Sequence, residues 1–393
     1  METEYKQLVA SLSSLEKNTD LYSNSIKLVK CRDLYRSILK TFPWLEGFWV
    51  RWAHTEFALN DSSAAIFVFN SAINTPSLEN SLVVWVEYLK FLVRIECTCR
   101  PVTERILSYF REAEKRIGDH FLAHEYWDMY LEICDSKMKL LLHIVNNCTL
   151  HQCTKYYEQL RNDISKCNYD QLLSFCDDAM HAGNTEYKRI FDDFVDSRVA
   201  DSLELDKFRE VVCTKLRLQY QLHIRRVDAV KGFEMSIKRP FFHPKIPKKT
   251  ESLVWNNYLN SVDDNHAYAK IKLFKRALIP FAFDESMWLK YIRYLVSVNN
   301  DGIEQAYIAG KHLKVVNDHH ELWQLRNDPI KMSDCDKRSE VILQNSKDDS
   351  DHSIEKVQRL SYLRLHDPRS YLKEFSDLSF EEFKTYYENN KPN

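Results

Sequence analysis

Apolar residues recur every three or four positions over most of this 393-residue chain, which is the spacing that places them on one face of a helix. Glycine and proline, the residues that most often end helices, number only 6 and 10. The pattern therefore predicts an all-α protein. The clearest predicted helices cover residues 48–59, 82–95, 102–117, 121–134, 137–148, 203–225, 252–261, 267–280, 285–298 and 302–316.

These helices alternate between two kinds. The first kind carries a tryptophan followed by aromatic and aliphatic residues on the same face, and the marker residues are Trp52, Trp85, Trp127, Trp255 and Trp288. The second kind carries a large apolar residue and a small residue three positions later. The pairs are Phe69 and Ala72, Phe110 and Ala113, Val145 and Cys148, Phe233 and Ser236, Phe274 and Ala277, and Tyr307 and Gly310. The small side chain lets a partner helix approach closely, and the tryptophan fills the space beside it.

The tryptophans recur at a nearly constant interval. Trp52 and Trp85 are 33 residues apart, as are Trp255 and Trp288, whereas Trp85 and Trp127 are 42 apart because the intervening loop is longer. Such tryptophans could merely mark the core of a globular helical domain. Six coordinated pairs favour helical hairpins that cannot bury their apolar stripes alone and that stack into an α-solenoid, a superhelix of tetratricopeptide-like helix pairs.

Composition restricts the classes of function. The 55 basic and 57 acidic residues nearly cancel, so no global field draws the molecule toward nucleic acid or an anionic membrane. No apolar run is long enough for a bilayer, and the N-terminal sequence lacks the basic-then-apolar order of a secretion signal. We therefore expect a soluble intracellular protein without membrane contact, in which the ten scattered cysteines stay reduced and form no disulfides.

Sequence signatures of catalysis are absent. Phosphate-cradling loops need glycines a few residues apart, and neither GxGxxG nor GxxxxGK[ST] can be written with the six glycines. No Ser, His and Asp set or HExxH motif occurs, and the segment DHHE at 318–321 reads as a solvated loop. We predict a non-enzymatic protein with no cofactor and no small-molecule substrate.

Two cysteine-containing segments could suggest zinc. The segment at 143–153 contains His143, Cys148, His151 and Cys153, and CTC occupies 97–99. Zinc sites use ligand pairs held on a turn with a second pair nearby, and both spacings fit this poorly. We predict that these side chains are packed and bind no metal.

Three longer strings point to a family. They are YRSILKTFPWLEGFWVRWAHTEFAL at 35–59, AEKRIGDHFLAHEYWDMYLEI at 113–133, and FEMSIKRPFFHPKIPKKTESLVWNNYL at 233–259 followed by KLFKRALIPFAFDESMWLKYIRYL at 272–295. A tryptophan-aromatic helix followed by an xxFxRAL-like helix resembles the half-a-tetratricopeptide (HAT) repeat. The strings themselves resemble the pre-mRNA-processing factor 39 and factor 42 family. The resemblance covers residues 30 to about 325 and is weaker over 150–200.

This resemblance implies a nuclear scaffold of the U1 small nuclear ribonucleoprotein that acts in pre-mRNA splicing, at 5′ splice-site recognition. Its implied partners are the U1 core and auxiliary proteins, together with itself or a paralogous HAT-repeat protein as a homodimer or heterodimer. Two alternatives stay open. One is a HAT-repeat scaffold of mRNA 3′-end cleavage, against which the RPFFHPK string argues, and the other is a directly RNA-binding repeat protein.

The connector at 238–249 is the strongest local charge feature. Pro240, Pro244 and Pro247 favour an extended, stiff link between a helix ending near Ile237 and the following tryptophan helix. Its cations are candidate contacts for RNA phosphates or a protein partner, with Phe241 or Phe242 available for stacking, and they are Lys238, Arg239, Lys245, Lys248 and Lys249. The favoured interpretation is a structural elbow in which the phenylalanines plug a groove and the lysines stay in water.

Charge and periodicity divide the chain into four parts. We predict N-terminal HAT repeats over 1–200, C-terminal HAT repeats over 201–330, a polar linker or partly disordered loop over 331–352, and a helical tail over 353–393. The tail regains helical spacing through Val357, Leu360 and Leu363 and then through Phe380, Phe383 and Tyr387. A short amphipathic helix is not stable alone in water, so we expect it to cap the last repeat or to cross to another protomer.

Overall fold

The computed structural model describes residues 2–17, 25–59, 61–75, 78–96, 103–181, 184–195, 202–245, 247–263 and 266–298, together with Gly302 and Ala306. Within these ranges the chain forms fifteen α-helices and no β-strand, so the predicted all-α class is confirmed. The helices are α1 (Glu2–Glu16), α2 (Ser25–Thr41), α3 (Glu46–Ala58), α4 (Ser62–Ile73), α5 (Leu82–Glu96), α6 (Glu104–Ile117), α7 (His124–Ile133), α8 (Lys137–Asn147), α9 (Cys153–Lys166), α10 (Tyr169–His181), α11 (Glu186–Val195), α12 (Ser202–Ser236), α13 (Lys249–Ser261), α14 (Ala267–Leu278) and α15 (Glu285–Ser297).

Nine of the ten predicted helices are present. Their ends lie within three residues of the predicted ends, except for the C-terminal end of α12. The prediction ended it at residue 225, but the helix continues without a break to Ser236. Gly232 alone does not end it, and Pro240 lies just beyond its end. The predicted 302–316 helix is not among those nine, because it lies outside the described residues. Six further helices, which the spacing did not single out, are α1, α2, α4, α9, α10 and α11.

One predicted pair of residues at a helix crossing, Phe233 and Ser236, is wrong. Phe233 and Ser236 lie in the last turn of α12, where Ser236 is exposed and Phe233 is only half-buried. Phe233 instead stacks on Tyr258, with ring centroids 5.1 Å apart. Ser236 does not admit a neighbouring helix. The pair Tyr307 and Gly310, the CTC and DHHE segments, the linker and the tail all lie outside the described residues.

The chain divides into two compact units, one comprising residues 1–41, 51–71 and 281–393 and the other comprising 42–50 and 72–280. The predicted boundary at residue 200 stays a prediction. In the first unit, Tyr35 stacks on Trp52 with centroids 5.7 Å apart. Arg32 forms a two-pronged ion pair with the buried Glu56, whose carboxylate also accepts the Trp52 indole N–H at 2.8 Å. This polar group stabilises the packing because every charge in it has a partner.

The second unit has a continuous apolar core contributed by α5 through α12. Helix α12 spans 35 residues and buries Phe208, Val212, Leu216 and Val227 in that core. Because one helix carries all four residues, it holds the preceding hairpins in a fixed order. No helix among the described residues is long and apolar enough to cross a membrane.

A histidine connects α12 to the end of α8. His223 is fully buried, and its Nε2 donates a hydrogen bond to the Cys148 carbonyl at 2.9 Å. Burial lowers the pKa of His223 below its ordinary value of 6.5, and the charge of Arg226 acts in the same direction, while the hydrogen bond to the Cys148 carbonyl partly opposes it. Burial also holds the pKa of His120 well below that value. Both imidazoles are therefore held neutral in the folded chain.

Acid should weaken the fold through these two histidines. An unfolded chain takes up protons at pH near 6.5 while the folded chain does not, so stability is fully present above that pH and falls as the pH decreases toward the folded-state pKa. Each unit of pKa depression corresponds to about 1.4 kcal/mol. We expect urea unfolding to show this loss between neutral pH and pH about 5, and we expect H223Q to reduce the slope. The matched variant H181Q, at an exposed histidine, should leave the slope unchanged, and an equal slope in both variants would contradict the assignment.

Candidate docking sites

The marker tryptophans all lie in the interior. Their exposed fractions are 8% for Trp52, 3% for Trp85, 0% for Trp127, 2% for Trp255 and 4% for Trp288. Three of them use the indole N–H to bind a carbonyl in the turn before their own helix: Trp85 binds Glu79 at 2.8 Å, Trp127 binds Gly118 at 3.0 Å and Trp288 binds Ala282 at 2.9 Å. Each ring thus fills space beside the helix pair and also satisfies a backbone carbonyl in the preceding turn.

A sixth tryptophan, which the spacing argument missed, makes the same contact. The Trp49 indole donates to the Pro43 carbonyl at 3.0 Å, six residues earlier, as Trp85 and Trp288 do. Trp49 is the fourth residue of α3, and Trp85 and Trp288 are also fourth in their helices, whereas Trp52 is seventh. Position within the helix was the signal that could have identified it. Trp49, and not Trp52, is the structural equivalent of Trp85 in this repeat.

The small marker residues Ala72, Ala113 and Ala277 are completely buried. Ala113 lies one turn after Phe110, which packs against the rings of Tyr126 and Tyr130 with centroids 5.9 and 5.2 Å away. The Tyr126 hydroxyl donates to the Phe110 carbonyl at 2.8 Å. Helices α6 and α7 are therefore joined both by aromatic packing and by a buried hydrogen bond.

Gly118 closes the same hairpin, and a side chain there has no room. A Cβ atom at this position would lie 2.5 Å from the Glu114 carbonyl oxygen and 3.2 Å from Cζ2 of Trp127. The Gly118 carbonyl also accepts the Trp127 indole N–H. The backbone of α6 and the indole can therefore meet only if this residue lacks a side chain.

Two glycine-to-alanine changes should have opposite effects. We expect G118A to lower the free energy of unfolding by about 1–3 kcal/mol, because backbone and indole must move apart to accept the methyl group. Gly232 lies in α12 with nothing within 4 Å of its would-be Cβ, so G232A should raise stability by about 0.5–1 kcal/mol through helix propensity. Chemical denaturation measures both. Equal effects of the two changes would show that the hairpin tolerates a side chain at Gly118.

The connector between α12 and α13 is a rigid elbow in which the two phenylalanines have different roles. Phe242 is buried between Phe42 and Trp44, with ring centroids 6.0 and 5.8 Å away. Phe241 is 53% exposed. The sequence analysis predicted that both rings plug a groove. Consecutive residues in an extended connector point to opposite sides, so only Phe242 does so.

The five cations of the elbow also have two different roles. Arg239 donates to the Lys245 carbonyl at 2.9 Å and to the Pro280 carbonyl at 3.4 Å, and it therefore holds the elbow together. The other four, Lys238, Lys245, Lys248 and Lys249, are exposed, and none of them forms an ion pair within the described part of the chain. The prediction that the lysines stay in water agrees with their exposure. Whether they contact RNA or a protein stays a prediction.

A cleft of about 420 Å³ lies where α14 meets α6, α7 and α8. At its edge, Lys272 donates to the Lys115 carbonyl at 2.5 Å and Tyr268 donates to the same carbonyl at 3.3 Å. The remaining lining residues are Glu114, Gly118, Asp119, Trp127, His143, Asn147 and Cys148. Tyr268 is 63% exposed, and its ring faces the Lys272 ammonium at 4.5 Å. The cleft thus offers an aromatic rim with charges of both signs.

The polar side chains of this cleft pair with one another, and its thiol is buried. His143 Nε2 lies 3.2 Å from Glu114 Oε1, and its Nδ1 is 3.1 Å from the Asn147 amide. Burial raises the pKa of Glu114, and it raises the pKa of the Cys148 thiol well above its ordinary value. A thiol held protonated is a poor nucleophile. Cys148 therefore acts as a small buried hydrophobic residue.

The four side chains considered for zinc have separate surroundings. His143 pairs with Glu114, the His151 ring packs on Phe121 at 5.2 Å, and the thiols of Cys148 and Cys153 are buried. In the described part of the chain, no three His, Cys, Asp or Glu side chains are grouped so that they could hold a metal ion.

Two ionic groups fix α14 near the cleft. Both terminal nitrogens of Arg276 bind the Glu234 carboxylate, at 2.8 and 3.0 Å, and the Tyr258 hydroxyl donates to the same carboxylate at 2.9 Å. The residue before Arg276, Lys275, shares the carboxylate of Glu79 with Arg116. These contacts join residues that are up to 196 positions apart in the chain.

Comparison with known families agrees with the helical pattern. The PRP39 N-terminal HAT repeat model matches residues 2–166, and the PRP39 C-terminal HAT repeat model matches residues 228–364. The chain belongs to the PRP39 family of HAT-repeat proteins. The predicted α-solenoid of HAT helix pairs and the predicted family are both confirmed by these matches.

Several relatives are similar over most of this chain. Pre-mRNA-processing factor 39 of Schizosaccharomyces pombe is 24% identical over 306 residues, covering 74% of this chain and 48% of the relative. The U1 small nuclear ribonucleoprotein component PRP42 of Saccharomyces cerevisiae is 26% identical over 294 residues, covering 70% and 50%. Human pre-mRNA-processing factor 39 is 22% identical over 303 residues, covering 71% and 45%. The chain spans about half the length of the curated relatives it matches.

Proposed function

We propose that this chain is a non-enzymatic scaffold subunit of the U1 small nuclear ribonucleoprotein that acts in the nucleus in pre-mRNA splicing, at recognition of the 5′ splice site. The observation that carries the proposal is the match of both PRP39 HAT repeat models, together with a relative named as a U1 component. A stack of rigid hairpins holds several docking surfaces at defined separations, so binding one partner raises the effective concentration of the next.

The partners we propose are U1 core and auxiliary proteins, and we place one contact at the cleft beside α14. A concave surface with an aromatic rim and a few polar groups is the usual form of a recognition site. Tyr268 supplies the ring, and Lys272 and Asp119 supply opposite charges next to it. A protein segment with an apolar anchor and mixed charge fits these features.

The proposal is tested by recovering a tagged full-length chain from nuclear extract. We expect U1 small nuclear RNA and U1-specific proteins in the recovered material, and we expect Y268A to reduce their amount. The matched variant L253A removes a side chain of similar exposure, 61% against 63%, away from the cleft lining and should have no effect. Recovery of 3′-end cleavage factors in place of U1 proteins would overturn the proposal.

We also propose that the chain pairs with itself or with a paralogous HAT-repeat protein. Light scattering of the purified chain, alone and mixed with a candidate paralogue, measures this directly. A particle of twice the 46.8 kDa chain mass supports a homodimer, and a mixed particle supports a heterodimer. A mass of one chain under both conditions contradicts pairing.

A further inference from the structure

The elbow has an exposed face that its structural role does not use. Phe242 and Arg239 secure it from the inner side, while Phe241 and four lysines point to solvent. A ring that is 53% exposed contributes little to the packing of α12 against α13, and exposed lysines flank it in the sequence. The charge and the conformation of the elbow around this ring indicate what kind of ligand it could bind.

The elbow sequence carries positive charge without an acidic residue of its own. No acidic residue occurs from 238 to 250. The nearest carboxylate before the elbow, Glu234, is bound by Arg276, and the nearest one after it, Glu251, accepts the backbone N–H of Lys248 at 3.3 Å. Glu234 is thus neutralised by a guanidinium, whereas Glu251 keeps its charge and lies at the start of α13. The face is complementary to a polyanion.

The elbow is also held in one conformation. Three prolines restrict its backbone, and the Lys245 N–H donates to Nδ1 of His243 at 3.0 Å. Phe242 is fixed between two aromatic rings. Because this order exists before a ligand arrives, little conformational entropy is lost on binding.

We propose that the outer face of the elbow, formed by Phe241, Lys238, Lys245, Lys248 and Lys249, binds single-stranded RNA. Phe241 stacks on an unpaired base, and the lysines contact the phosphates on either side of it. Proteins that bind single strands without sequence preference combine these two features, an aromatic platform and a row of cations. A duplex offers no free base to stack on, so the site discriminates against it.

An acidic protein segment fits this face less well. A docked helix needs an apolar groove that accepts residues at successive turns, and the elbow presents one isolated ring. The exposed cations here are lysines, and Arg239 is bound to backbone carbonyls, so the face has no free planar fork for bidentate contacts. Lysine is a point charge suited to a flexible phosphate backbone.

The test uses the full-length chain and a fluorescein-labelled oligouridylate, with anisotropy measured over a range of salt concentrations. We expect F241A to weaken binding by about tenfold. We expect K238Q/K245Q to reduce the slope of log affinity against log salt by about 1.4, roughly 0.7 for each lost phosphate contact. The matched controls are L253A for an exposed apolar side chain and K137Q/K166Q for the same loss of charge elsewhere.

Three outcomes would overturn the assignment. The first is that F241A and K238Q/K245Q behave like their controls while thermal unfolding shows all variants folded. The second is that a duplex of the same length binds as tightly and with the same dependence on Phe241. The third is that an oligoglutamate peptide binds through Phe241 while the oligouridylate does not, which would assign the face to a protein partner. None of these measurements involves U1 proteins, so they are independent of the scaffold proposal.

Discussion

Replacing Trp127 with alanine should lower the free energy of unfolding by about 3–5 kcal/mol, the usual cost of removing a large aromatic side chain from a core. This indole is completely buried and packs against the rings of Tyr126, Tyr130 and His143 at centroid distances of 4.9, 6.2 and 5.9 Å. Its N–H also satisfies the Gly118 carbonyl. The substitution leaves a cavity at the centre of three helices and a buried carbonyl without a partner. Urea denaturation followed by circular dichroism measures the loss.

Two further variants separate the contributions at this position. W127F keeps an aromatic ring but removes the indole donor, so it should lose less stability than W127A. L122A shortens an apolar side chain that is 46% exposed, and it should change stability by no more than about 0.5 kcal/mol. If W127A were as mild as L122A, the indole would not be wedging the hairpin against its neighbours, and the repeat packing described above would be wrong.

The second large effect should come from the change of Glu234 to glutamine, which keeps the shape of the side chain and removes its charge. The side chains of Glu234 and Arg276 are only 5% and 17% exposed, and the guanidinium also lies over the Trp255 ring at 5.8 Å. Without the carboxylate, a buried guanidinium loses its counter-charge. The expected loss is about 3–5 kcal/mol, since breaking one side of a buried ion pair strands the other.

A double substitution distinguishes charge from packing at this site. Replacing both partners by apolar residues of similar size, as in E234L/R276M, removes the stranded charge and should recover most of the stability lost in E234Q. The control K139Q breaks an exposed pair with Asp178, in which both side chains are more than 40% exposed, and should have little effect. A double variant as unstable as E234Q would show that the loss comes from shape and not from charge.

Much of the architecture could be predicted from spacing because helix formation and amphipathicity are local properties. Residues three and four apart meet on one face whatever surrounds them, so Trp85, Trp127 and Trp288 indicated helical hairpins before any tertiary contact was known. The same argument selected Trp52 and overlooked Trp49. The two lie three residues apart on the same helix, and the contact of Trp49 with the Pro43 carbonyl shows which of them matches Trp85.

The candidate sites were less predictable, because they depend on contacts between residues that are far apart in the chain. The elbow was evident from its prolines and lysines, but the sequence gives Phe241 and Phe242 identical chemistry. Their division into an exposed ring and a buried ring depends on Phe42 and Trp44, which lie about two hundred positions earlier. The cleft left no sequence signal at all. It is lined by Lys272 and Tyr268, which bind the Lys115 carbonyl from more than 150 positions away in the chain.

The sequence by itself therefore determined that this protein is a series of amphipathic helical hairpins of a recognisable family, since periodicity, helix propensity and repeat length act over tens of residues. The tertiary structure alone decided which turns meet, which of two adjacent rings faces solvent, and which carboxylate serves Arg276. Those choices depend on the summed rotation of many stacked hairpins, and no local pattern encodes that sum. The proposed docking cleft lies where distant parts of the chain are brought together by that stacking.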